Sequence, residues 1–289
     1  MIIDAHAHIF SHVCPRVAPP EFADGRFPVD RLLALMDAEG VDGAVILQNP
    51  VIGIINVEVR EALDAYPERF AGVVQVDPVA PGALDVIREY VRSPRQRTVK
   101  LEMSEEWGWC GVHPGLRLDG PELMGLWGLA AEVGINVMID PGAIGKSGYQ
   151  VEAIDSLSET HAGVRFLIEH LGYMQSADAA DEIARRRRIE MLRLALKPNV
   201  FIGFSAASTL LEEPYPCRGA VGLLQEAVEL VGANKILWGT DVPHTLRRHT
   251  YRQLLDTVRR DAPFLSEAER NRILGENAKE IFFSGWLNG

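Results

Sequence analysis

The sequence predicts an α/β fold, a (β/α)₈ TIM barrel, on three observations. Short Val- and Ile-rich runs alternate with amphipathic helical patterns along the whole chain. Eight such pairs fit within the 289 residues. Polar or titratable residues stand at the same end of every apolar run. Strands that are apolar almost throughout belong to a parallel sheet covered on both faces. Eight consecutive units of this kind fit a closed barrel better than an open doubly wound sheet.

Each element has its own warrant. The strands are "MIIDAHAHI", "DGAVILQNP", "FAGVVQVDP", "TVKLEMS", "INVMIDPG", "VRFLIEHLG", "NVFIGFSA" and "KILWGTDVP". The first four intervening helices are "PVDRLLALMDAEG", "NVEVREALDAYPERF", "GALDVIREYVRS" and "PELMGLWGLAAEVG". The other four are "YQVEAIDSLSETHAG", "DEIARRRRIEMLRLALK", "VGLLQEAVELVGANK" and "YRQLLDTVRRDA". Pro28 and Pro121 stand where helices start, and several helices run out at Gly. A final stretch, "SEAERNRILGENAKEIFF", reads as a pair of helices closing the barrel. With no internal repeat and no low-complexity segment, residues 1–289 read as one domain.

Composition narrows the function. A net charge of −11 argues against nucleic acid and anionic membrane surfaces as partners. No apolar run reaches the ~18 residues a membrane helix needs. The three cysteines have no C-x-x-C spacing, which suits reduced thiols in a cytoplasmic protein. With the first strand starting at Ile2, no secretory leader is expected ahead of it. The expected partner is a small molecule, with homo-oligomers left open. The basic run Arg185 to Arg188 spreads around a helix and reads as a solvated face.

In such a barrel the site lies at the C-terminal ends of the strands. There the sequence places His6 and His8, Gln48 and Asn49, Gln75 and Asp77, and Lys100 and Glu102. Asp140, Glu169, His170, Ser205 and Asp241 complete the set. Alternate residues of a strand share a face, so His6 and His8 should project together. Two imidazoles and a carboxylate with an open position suit catalytic zinc, which makes water acidic enough to ionise near neutral pH. Asp241 can ligate such an ion and accept the proton of an attacking water. Counting parity from Phe166 and Ile168 aims His170 into the barrel, as electrophile or acid–base, and turns Glu169 outward.

"DAHAH", "LIEHLG", "LWGTDVP" and "GENAKEIFF", in this order and on these strands, make the chain resemble the amidohydrolase-related branch of the amidohydrolase superfamily over essentially its whole length. The resemblance implies a distorted barrel, commonly with one divalent ion, zinc or manganese. The activities it implies are hydrolysis of lactones and related bonds, or non-oxidative decarboxylation. It carries over to His6, His8, His170 and Asp241. On strand five, where metal-dependent members usually place a histidine ligand, this chain has Asp140. That exchange resembles sugar-acid lactonases, some of which need no metal, and it leaves Asp140 a doubtful ligand. H-x-H on strand one resembles the hydrolases, whereas resorcylate-type decarboxylases carry E-x-H.

Lys100 has two readings, a contact for a substrate carboxylate or a salt bridge with Glu102. The long irregular segment "SEEWGWCGVHPGLRLDG" offers Trp107, Trp109 and His113 as walls for a ring-shaped substrate, or as loop packing. The expectation is therefore a hydrolase in which water attacks a lactone, ester or amide carbonyl of a small, carboxylated substrate, with Asp241 as base. The alternatives are a metal-dependent decarboxylase of an aromatic or muconate-type acid, and a catalytically silent binding barrel.

Overall fold

The computed structural model describes residues 1–284. Each apolar run forms a strand buried on both faces. They are β1 (Ile3–His8), β2 (Gly43–Leu47), β3 (Phe70–Val74), β4 (Thr98–Glu102), β5 (Asn136–Asp140), β6 (Phe166–Ile168), β7 (Val200–Phe204) and β8 (Ile236–Trp238). They pair in parallel in sequence order. Closure is made by a bridge from Ala7 to Val242, where the His8 amide donates to the Val242 carbonyl at 2.9 Å. The result is a nearly closed TIM barrel.

Between the strands run α1 (Val29–Glu39), α2 (Asn56–Ala65), α3 (Ala83–Tyr90), α4 (Trp109–Val112), α5 (Met124–Val133) and α6 (Val151–Thr160). They continue as α7 (Glu182–Arg193), α8 (Ala207–Leu210), α9 (Arg218–Val231), α10 (Tyr251–Arg259) and α11 (Glu267–Asn271). α1 and α5 stop at Gly40 and Gly134, whose φ values of 69° and 71° need a residue without Cβ. Thr250 and Gln253 cap α10 reciprocally, as Ser266 and Glu269 do α11.

One face of each strand points at the helices. The other fills the barrel with Ile3, Ala5, Val45, Leu47, Ala71, Val73, Met138, Leu167 and Leu237. Ala278, Ile281, Phe282 and Phe283 close this interior cluster from below. The expected closing helix pair is one uninterrupted helical run from 267 to 283, loosened to π-type turns over Arg272–Glu276 and Lys279–Phe283. Gly275 lets the N-terminal segment approach this run closely: a Cβ there would meet the Met1 carbonyl oxygen at 2.3 Å.

β1 does not keep one parity. Its pairing with β2 slips between Asp4 and Ala7. Ile3 and Ala5 face the interior before the slip, and His6 and His8 face it after. Asp4 thereby leaves the face it would otherwise share with the histidines. It accepts from the Thr240 amide at 2.9 Å and the Tyr251 hydroxyl at 2.9 Å, fastening β1 to β8 and α10.

Candidate active site

His8 is oriented by its own strand pair. Its Nδ1 lies 2.9 Å from the Leu47 carbonyl oxygen, which only accepts, so Nδ1 carries the proton. Its Nε2 lies within hydrogen-bond distance of Asp241 Oδ1, at 3.1 Å. His6 is set the same way from below, with Nδ1 2.6 Å from Glu169 Oε2. Burial pushes the His6 ring below its usual range, against the pull of Glu169, so it holds one proton. His6 Nε2 is buried without a hydrogen-bond partner and lies 3.5 Å from Asp241 Oδ1. One ligand atom from each of His6, His8 and Asp241 thus lies within 4.8 Å of the others.

Asp241 reaches this point because its backbone turns left-handed at the end of β8, φ 59°, while its amide donates to the His6 carbonyl at 2.7 Å. Burial alone would raise its carboxyl. The His8 hydrogen bond and the His6 and His170 rings outweigh burial and hold it well below the usual carboxylate range.

His170 stands one residue beyond the parity argument. β6 ends at Ile168, and His170 takes a φ of 58°, so Leu167 and Glu169 face the interior and a turn brings His170 to the cleft. Glu169 therefore points inward, contrary to expectation. Around His170, Nε2 is 2.9 Å from Asp140 Oδ2 and Nδ1 is 3.0 Å from Ser205 Oγ. Burial disfavours its charge, but the Asp140 carboxylate more than restores it and raises the ring to about 9. Asp140, which burial would push up, is held well below its ordinary range by His170 and then Lys100. Lys100 Nζ is 3.0 Å from Glu102 Oε2, the salt-bridge reading of this residue. Burial and Asp140 push Glu102 up to about 7, and the Ser104 hydroxyl donates to it at 2.7 Å.

These groups line a cleft of about 610 Å³, counting its open mouth, at the C-terminal end of the barrel. It brings together His6, His8, Lys100, Trp107, Asp140, His170 and Asp241. Trp109 and His113 stand outside it. Trp109 is buried, and His113 Nε2 is 2.8 Å from Asp77 Oδ1. Asn49, placed at this end of the barrel by the sequence, is in the lining, whereas sequence reasoning missed Tyr173, Thr209 and His244. His244 had a signal, three residues past Asp241 on the same loop. Its ring meets the Trp107 ring at 5.8 Å, and Arg16 lies 4.3 Å over the same Trp107. The loops after β1, β4 and β8 thus meet above the cleft.

Two groups among the described residues have donor atoms close enough to share an ion: His6, His8 and Asp241, and His6, Glu169 and His170. Asp140 belongs to neither. In the second group Glu169 already bonds the His6 ring, whereas the first leaves His6 Nε2 without a hydrogen-bond partner.

A parallel eight-stranded barrel with histidines and an aspartate gathered at its C-terminal mouth defines a hydrolase-type TIM-barrel enzyme. The chain belongs to the amidohydrolase family, whose model matches residues 3–283. It is similar to a 4-sulfomuconolactone hydrolase of Rhizobium radiobacter, 24% identical over 96% of this chain and 89% of that protein. Among solved structures it resembles a probable 2-pyrone-4,6-dicarboxylic acid hydrolase from Acinetobacter baumannii with citric acid bound (21% identity, TM-score 0.75, 97% and 98% of the two chains). It also resembles 2,6-dihydroxybenzoate decarboxylase from Rhizobium (18%, TM-score 0.68, 97% and 98%). No helix among the described residues is long and apolar enough to cross a membrane.

Proposed function

We propose that this protein hydrolyses a lactone of a small organic acid. The observation that carries the reading is the convergence of His6 Nε2, His8 Nε2 and Asp241 Oδ1 at the cleft, three ligand atoms close enough to share one cation, with His6 Nε2 otherwise without a partner. The named hydrolase relatives act on lactones, which agrees with it.

The donor set fits one divalent ion, zinc or manganese, held by His6, His8 and Asp241. When bound, such an ion supplies Lewis-acid polarisation of the carbonyl and a more acidic water. The chain's own residues do the rest. Asp241 is ionised throughout the neutral range and accepts the proton of the attacking water at a carboxylate oxygen. His170 contributes its positive charge, both ring nitrogens being engaged by Asp140 and Ser205, and faces the oxyanion that develops on the carbonyl. Lys100, held by Glu102, adds a second positive charge to the same wall. Trp107 covers the substrate ring from above. The three unpaired, buried cysteines suit a reducing compartment such as the cytoplasm.

The test is metal analysis of protein purified without added metal or chelator, followed by a panel of sugar-acid and dicarboxylate lactones. One ion per chain, with turnover lost on chelation and in Asp241→Asn, is the expected result. Near-normal turnover by a folded Asp241→Asn protein would overturn the role of Asp241. Carbon dioxide release from an aromatic or muconate-type acid, without lactone opening, would replace the hydrolase by the carboxy-lyase that the fold also accommodates.

A further inference from the structure

We propose that Glu169 is a positioning residue, holding the His6 ring as the Nδ1–H tautomer so that its Nε2 lone pair is aimed into the cleft beside Asp241. The proposal rests on the lactone-hydrolase reading for its kinetic arm only.

Four observations carry it. The contact is short, 2.6 Å from Glu169 Oε2 to His6 Nδ1, with both side chains almost wholly buried. The carboxylate sits on an apolar floor of Met138, Leu167, Leu237 and Phe282, where a charge is costly unless a strong partner answers it. The barrel makes room for it at the expense of a side chain. A Cβ on Gly203 would stand 2.6 Å from Oε2, 3.0 Å from Cδ and 3.1 Å from Oε1 of Glu169. Finally, the same Oε2 accepts from Ser205 Oγ at 3.3 Å, and that oxygen lies 3.0 Å from His170 Nδ1. One carboxylate oxygen therefore sets the proton of His6 directly and steadies His170 through a hydroxyl.

The physics is that of a carboxylate behind an imidazole. An acceptor at Nδ1 fixes which nitrogen keeps the proton and makes the other more basic. If the ring were turned over or its proton shifted, Nε2 would present N–H to Asp241 and could no longer serve as an acceptor at the cleft. Packing alone explains none of this, because a methionine fills the same volume without accepting a hydrogen bond.

The experiment is ¹⁵N-histidine NMR of the full chain, with His6 assigned by its loss in His6→Gln. It is run on the parent, Glu169→Met, Glu169→Gln, Gly203→Ala and Ser205→Ala, alongside kcat and KM on whichever lactone the parent opens. The Nδ1–H signature of His6 is expected in the parent and in Ser205→Ala. It should be lost in Glu169→Met and weakened in Glu169→Gln and Gly203→Ala. In Glu169→Met, kcat should fall about 10–100-fold with KM nearly unchanged. An unchanged His6 signature in folded Glu169→Met overturns the proposal, as does an Nε2–H signature in the parent. A parent that opens no lactone would sink the functional reading, while the NMR series still decides the role of Glu169.

Discussion

Gly239 is the point where the site's geometry is most exposed to a single methyl group. It follows β8 directly, and its amide donates to the Phe204 carbonyl at 3.0 Å. A Cβ added there would stand 2.6 Å from His6 Cβ, 2.8 Å from the His6 nitrogen and 3.2 Å from its Cα. Carbon atoms rest at about 3.5–4.0 Å, so the shortfall is roughly 1 Å, and it falls largely on backbone that cannot rotate away. Overpacking of this kind costs about 1–3 kcal/mol. For a chain of this size that lowers Tm by roughly 2–10 °C. A displacement of His6 by roughly 1 Å is also enough to cost about 100-fold in turnover. The assay is calorimetric Tm for Gly239→Ala with kcat beside it. Gly222→Ala serves as the control, since Gly222 lies inside α9 with nothing within 4 Å of its Cβ position. That control should gain about 0.5–1 kcal/mol. A Gly239→Ala protein with parental Tm and parental turnover would refute the claim that β1 and β8 press together here.

Lys100→Met should destabilise the fold by about 3–5 kcal/mol, because it strands the buried Glu102 carboxylate. The double variant Lys100→Met/Glu102→Gln should recover much of that loss, and urea denaturation of the three proteins tests the coupling. His249 is buried and burial lowers its pKa, so the folded ring resists a proton that the unfolded ring accepts at about 6.5. Stability should therefore fall as pH drops below that value, and the difference in Tm between pH 8 and pH 5 should be smaller in His249→Gln. A difference equal to the parent's would assign the acid sensitivity elsewhere.

The barrel was legible because its strands are buried on both faces, which leaves runs such as "GAVIL" and "FAGVV" with no competing pattern. The meeting of His6, His8, His170 and Asp241 at one cleft was legible because all four stand at the C-terminal ends of apolar strands. What the sequence hid was local bending. Strict alternation puts Asp4 with the histidines, but the slip in β1 separates them. Alternation along "FLIEH" turns Glu169 outward, yet the strand ends before it and the chain reverses at His170. Neither departure has a glycine or proline to announce it. Trp109 and His113 were misplaced for another reason. The loop that carries them packs its apolar residues, including Trp109, Leu116 and Leu118, into the core shared by barrel and helices, and only Trp107 is left facing the cleft. The partner of Asp140 was hidden too, since nothing in "INVMIDPG" shows that an imidazole 30 residues on will reach it.

The bonds that close the barrel join segments at opposite ends of the chain. The Thr240 amide reaches an Asp4 carboxylate 236 residues away, and the Asp241 amide reaches the His6 carbonyl. While the chain is being made, β1 leaves the ribosome before the other seven strands and waits for its second neighbour until β8 has emerged. Throughout that interval it is an unpaired strand edge carrying two histidines and an unsatisfied acid. Contacts so distant in sequence also make folding slow, because the loop must close before any of them forms. The cluster of His6, His8 and Asp241 is therefore assembled only when translation of residues 236–243 is complete.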